Sequence, residues 1–207
     1  MRVSKAQAAL NRQHILTAAT RLFREHGIHA TGVDAITKEA GLTHGSLYSQ
    51  FGSKEAIAVE AIRSAVTRSK RIWQHATERQ PGTQAFRSLV EGYLSREHRD
   101  APGQGCVVAA LGADIARQPP SVREAFTKEL GDVFELLARL IPGEAPSHRY
   151  DDAIAAFAGM AGALILARAV NDETLSRRIL QATAKRISQQ TEVGKPARRT
   201  KRIADGR

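Results

Sequence analysis

The sequence predicts an all-α protein, and three observations carry that expectation. Apolar residues recur at helical spacing through most of the 207 residues. Hydrophobic residues make up 42% of the chain but aromatic ones 5%, a balance dominated by Ala and Leu that suits packed helices better than strands. The segment from Val33 to Phe51 divides into two short helical patterns hinged at Gly41, the layout of a helix-turn-helix. About nine helices are expected, with no convincing strand and no internal repeat.

The elements follow in order. Ile15, Leu16, Ala19, Leu22 and Phe23 form the apolar stripe of a first helix ending at Gly27. Val33, Ile36 and Ala40 are the inward face of the second, Leu42 fills the corner, and Leu47 with Phe51 anchor the third. Gly41 supplies left-handed backbone at little steric cost, and the Thr43 hydroxyl can cap the helix after it. Ser53 is a ready cap for a long helix reaching about Arg79, with Glu55 in its positive first turn. Pro81-Gly82 breaks that helix. Phe86, Leu89, Val90, Tyr93 and Leu94 mark the next, running to about Arg99, and a Gly- and Pro-containing loop follows. Further helices are expected over Cys106 to Gln118, from Pro119-Pro120 to about Ile141, over His148 to Val170 and over Glu173 to Gln190. Residues 192–207 hold six Lys or Arg against two acids with little apolar content, and are expected to form a disordered basic tail.

Composition narrows the function classes. The formal net charge of +10 suggests an anionic partner, nucleic acid ahead of an acidic membrane. Its distribution matters more: residues 1–60 are nearly balanced, with seven basic against five acidic side chains, so the charge lends the helix-turn-helix little support. The single cysteine excludes an intramolecular disulfide and a Cys-based zinc cage, and the location is read as cytoplasmic; a metal held by histidines alone is possible but unsupported, so neither metal nor cofactor is expected. No signal-type apolar stretch opens the chain. The apolar run Ala153 to Ala167 is short for a bilayer and reads as a buried helix. No nucleophile elbow, phosphate-cradling glycine loop or His-Glu metal spacing is present, so an enzyme is not expected.

The pieces Ile15-Leu-Thr-Ala-Ala, Leu22-Phe, Gly27, Thr31, Val33, Ile36, Ala40-Gly-Leu-Thr, Leu47-Tyr-Ser-Gln-Phe and Ser53-Lys-Glu stand in an order that resembles the TetR family of bacterial transcriptional regulators. The resemblance covers about the first sixty residues by motif, and the rest by helix count and length. Gly32, where the family usually has a Ser or Thr cap, and Thr37, where it usually has Ala, depart from the pattern. The resemblance implies a helix-turn-helix DNA-binding domain over 1–56 and an effector-binding and dimerisation domain over 57–191. It implies a homodimer on a palindromic double-stranded DNA operator, most simply a repressor released by a small molecule. A non-catalytic all-α protein-interaction module is the alternative. It would show no sequence-selective DNA affinity.

Thr43, His44, Gly45, Ser46 and Ser49 fall on or before the outward face of the third helix, where short polar side chains reach base edges or phosphates; a merely solvated face is the plainer alternative. His44 is the best base reader among them. The resemblance assigns Tyr48 and Thr31 to phosphate contact, with packing and turn capping as their structural alternatives. Lys54 stands at a helix N-terminus, where its charge opposes the dipole unless an anion lies near. Lys38 adds Coulomb attraction or is simply solvated. Cys106 is placed in the first turn of its helix, as an electrophile or redox sensor or as a small core residue. Trp73, Phe86, Tyr93, Phe126 and Phe134 are the large side chains available to line an effector pocket, with Asp114 as a polar group that could greet a ligand or pair with Arg117. Ala155, Gly159, Ala163 and Ala167, four residues apart, form a ridge expected either in a two-fold helical interface or inside one subunit.

Overall fold

The computed structural model describes residues 4–141 and 146–193. These hold ten α-helices, one 3₁₀ turn and no strand. The head comprises α1 (Lys5–His26), α2 (Val33–Ala40) and α3 (His44–Phe51). Then come α4 (Lys54–Thr77), α5 (Gly82–Tyr93), α6 (Arg96–Asp100), the 3₁₀ turn Pro102–Gln104, α7 (Val107–Ile115), α8 (Pro120–Leu140), α9 (Pro146–Ala169) and α10 (Glu173–Val193).

Local chemistry sets the boundaries of the head. The Ser4 hydroxyl accepts the Gln7 N–H to open α1. Gly41, at φ 67°, closes α2 in the left-handed conformation and donates its N–H to the Lys38 and Thr37 carbonyls. Thr43 Oγ1 accepts from Ser46 N at 3.3 Å to open α3, and Ser53 Oγ accepts from Ala56 N at 3.0 Å to open α4. Gly32 stands at the start of α2 without a side-chain cap, and Thr37 turns its hydroxyl back onto the Val33 and Asp34 carbonyls. The Thr37 departure is thus absorbed within the helix, whereas the first turn of α2 goes without a side-chain cap.

Two expected elements differ. The single helix from Phe86 to Arg99 is two, because Leu94 leaves helical geometry and the Ser95 hydroxyl captures the His98 N–H as a new cap. Cys106 is the N-cap of α7 rather than a first-turn residue, and α7 ends at Ile115.

Ile36 and Leu47 are fully buried and Phe51 is buried, while Val33, Ala40 and Leu42 are half-buried against the same core. That core is continuous from the head into the larger part. α4 makes it so: Ile57, Ala58, Ala61 and Ile62 carry the buried face past the head, and α4 then packs along α8. The boundary expected at residues 56 and 57 therefore crosses the first turn of α4. In α9, His148–Ala169 is long and apolar enough by length and composition to cross a membrane. Here Ala153, Phe157, Met160 and Leu164 are buried against the body of the protein, with α8 and α10 as neighbours. Of the tail expected over 192–207, residues 192 and 193 end α10, and the rest lies outside the described residues.

Candidate nucleic-acid interface and core cavity

The buried faces of α2 and α3 turn the polar positions outward. Thr43, His44, Gly45 and Ser49 are exposed, Ser46 is half-exposed, and Tyr48 is 50% exposed despite its large ring. Its neighbour Leu47, fully buried, holds this turn of α3 against the core and leaves the Tyr48 side chain on the outward face. No Lys or Arg occurs in the eight residues of α3. A side chain added at Gly45 would meet open space apart from the Thr43 hydroxyl, so the helix surface there is flat. His44 Nε2 lies against the Asp34 carboxylate of α2, which joins the two helices on their outward side.

Lys54, at the start of α4, donates to the His29 carbonyl at 3.2 Å, and partial burial pulls its ammonium below the usual lysine range. Lys38 is exposed on α2. Thr31 differs from the expectation. It is 3% exposed, and its hydroxyl donates to the Gly27 carbonyl at 2.7 Å, so its side chain caps the turn after α1 instead of facing outward. Arg12 is a positioning residue that the sequence reading missed. Its guanidinium sits 4.1 Å from the Phe51 ring centroid and donates to the Gln50 carbonyl and to Glu60, tying α3 to α1 and α4. Helical periodicity gives no sign of such a contact, because its partners lie 38 and 48 residues away.

Three of the expected pocket residues come together. Trp73, Tyr93 and Cys106 line one cavity of about 230 Å³ between α4, α5 and the segment before α7. His98, which the sequence did not single out, completes its polar wall. His98 Nδ1 faces the Tyr93 carbonyl at 2.6 Å and Nε2 faces the Cys106 N–H at 2.9 Å. A carbonyl can only accept and an N–H can only donate, so the ring is the neutral tautomer protonated at Nδ1. Burial, and less strongly the Arg168 charge, hold its pKa below the ordinary 6.5. The Tyr93 hydroxyl is buried without a hydrogen-bond partner, and burial pushes the phenol well above its usual range. It is therefore a neutral hydroxyl, with the Cys106 side chain as its polar neighbour.

The other expected pocket residues serve elsewhere. Phe86 is fully buried core. Phe134 packs edge-on against Tyr150 and Phe157, and Phe126 is half-buried in the same core. Asp114 does not reach the cavity. Its Oδ2 accepts the Ile28 N–H at 2.5 Å, fastening α7 to the end of α1, while Arg117 stands at 3.9 Å. A second fastening lies at the other end of α7, where Arg24 of α1 donates to the Gly105 carbonyl at 2.9 Å, one residue from Cys106.

The ridge on α9 divides. Ala155 and Gly159 are exposed, but Ala163 and Ala167 are buried within the subunit, because four-residue spacing drifts around a helix of 3.6 residues per turn. The exposed apolar side chains nearby are Ile154, Ile165, Leu166 and, on α10, Leu175.

The chain is similar in sequence and in fold to known proteins. Residues 15–61 match the sequence pattern of bacterial regulatory proteins of the tetR family. The chain is 33% identical over 133 residues to the HTH-type transcriptional regulator LmrA of Bacillus subtilis, covering 60% of this chain and 69% of that one. It is 31% identical over 115 residues to UidR of Escherichia coli, an HTH-type transcriptional regulator, covering 56% and 57%. Its fold is similar to that of a TetR family transcriptional regulator from Agrobacterium tumefaciens, with a TM-score of 0.73 at 18% identity over 86% of this chain and 98% of the other.

Proposed function

Because the chain belongs to the TetR family of bacterial regulatory proteins, and is a non-enzymatic DNA-binding transcriptional regulator, we propose that it is a cytoplasmic repressor whose operator affinity is set by a small molecule in the cavity beside Cys106. The observation that carries this reading is the placement of that cavity. Its wall runs from Cys106 into Gly105, whose carbonyl holds Arg24 of α1, and α7 continues from the same wall to Asp114, which holds Ile28. A ligand that widens the cavity displaces α7 and pulls on the head at two points. The effect requires different affinity for the two head arrangements, since equal affinity shifts nothing. A coupling of about 1 to 3 kcal/mol changes operator affinity roughly 5- to 150-fold.

On the DNA side, His44, Gly45 and Ser49 read base edges from the major groove, with Thr43, Ser46, Tyr48 and Lys54 against the phosphates and Lys38 adding charge. Thr31 contributes through the turn that it caps. Two copies, paired through the exposed apolar faces of α9 and α10 with Ala155 and Gly159 at their close approach, would place two heads on a palindrome.

Cys106 favours one class of effector, an electrophile or oxidant, because its thiol lines the cavity beside the buried, neutral Tyr93 hydroxyl. With an activated alkene, the sulfur forms a bond to the β-carbon, and the thiol proton ends on the α-carbon. The deciding experiment is a gel-shift titration of the full chain against the DNA flanking its own gene, repeated with N-ethylmaleimide. Selective binding that the reagent releases, and that Cys106→Ser makes resistant to it, supports the reading. Absence of selective binding refutes the operator, and an unchanged response in Cys106→Ser refutes the thiol.

A further inference from the structure

A second opening is a cleft of about 380 Å³ between α1, α4 and the 3₁₀ turn. Its lining includes three arginines, Arg21, Arg24 and Arg68, and no carboxylate. Arg21 is already balanced, by Glu25 at 2.6 Å and Glu39 at 2.5 Å. Arg24 is not. It is 7% exposed, and its guanidinium donates to two neutral carbonyls, from Nε to Thr20 at 3.0 Å and from Nη1 to Gly105 at 2.9 Å. Among the described residues no carboxylate pairs with Arg24 or with Arg68, and Glu25, the acid whose charge reaches Arg24, is held by Arg21.

A buried guanidinium without a counter-ion is costly, and a second one facing it adds repulsion. Burial first, and then the Arg68 charge, pull Arg24 down to about 10. The Ser64 hydroxyl and the Gln104 amide line the same cleft as neutral polar groups. Guanidinium groups bind planar or tetrahedral oxyanions through paired N–H donors, so the missing component is an anion.

We propose that this cleft binds a small oxyanion, the carboxylate or phosphate of a metabolite-sized molecule, between Arg24 and Arg68. Arg24 belongs to the head and Arg68 to the helix that joins it to the body, so the anion braces α1 against α4. This site is separate from the cavity beside Cys106. Both, however, are lined by Gln104.

The test is calorimetric titration of the full chain with inorganic phosphate and, separately, with succinate, at constant ionic strength held by sodium chloride. Saturable heat with at least one anion is expected, phosphate alone marking a phosphorylated ligand and succinate alone a carboxylate. Arg68→Ala, at an exposed position that carries none of the fold, is expected to weaken binding roughly 10- to 100-fold, the loss typical of a hydrogen bond to a charged group. Arg68→Lys should restore part of it. No saturable heat with either anion, or equal affinity in Arg68→Ala with an unchanged circular dichroism spectrum, overturns the proposal.

Discussion

Asp114→Ala probes how the head is fastened to the body. The carboxylate accepts the Ile28 N–H at 2.5 Å with its side chain 16% exposed, so the bond lies largely out of water. A hydrogen bond to a charged group contributes about 1.5 to 3 kcal/mol, and removing the acceptor also strands the donor. The Arg117 contact adds little, since that side chain is 72% exposed. A loss of about 2 kcal/mol is expected. For a chain of this size, where each kcal/mol moves the midpoint by about 2 to 4 °C, that corresponds to roughly 4 to 8 °C. Asp114→Asn keeps an acceptor oxygen and should lose about half as much. Urea denaturation followed by circular dichroism at pH 7 measures both. The same variant should bind operator DNA yet respond less to effector, because one of the two α7 fastenings is gone. A stability loss below about 0.5 kcal/mol, with the effector response intact, would show that this bond is incidental.

Three further outcomes are expected. Tyr48→Phe and Lys54→Ala should weaken binding to all DNA sequences alike, whereas His44→Ala should alter base preference more than overall affinity, as read by gel shift at fixed salt. His98 has a depressed folded pKa, so its contribution to stability is full above about pH 6.5 and is lost as the pH falls from there through the folded value; thermal melts of His98→Gln should lack that part of the acid sensitivity. Leu166→Glu, at a position 56% exposed, should leave the melting temperature nearly unchanged while sedimentation shifts from dimer to monomer; a persistent dimer would move the interface elsewhere.

What was legible in the sequence was what is decided within a few residues. Gly41, Thr43 and Ser53 act on backbone groups three or four positions away, and the stripes through Ile36 and Leu47 follow from helix period alone. The break at Leu94 and Ser95 was hidden because Gly92 interrupts neither the apolar stripe nor the helix it lies in, no Pro follows, and a serine cap in mid-pattern reads like any polar helix position. Asp114 and His98 were hidden for a different reason. Asp114 finds its partner 86 residues away, and His98 joins the cavity only through the turn that the break creates. Trp73, Tyr93 and Cys106 were selected by residue type, and the fold brings them together, yet type alone could not separate them from Phe86 and Phe134.

The absence of Lys and Arg from α3 separates two properties that DNA-binding proteins often combine. On the proposed reading, bases are discriminated from this helix without Lys or Arg, whereas the lysines that would hold the duplex, Lys38 and Lys54, belong to other elements. Raising the salt concentration should therefore weaken attachment to operator and to random DNA in parallel, leaving the ratio between them nearly flat. Selectivity in such a protein survives ionic conditions that erode its grip.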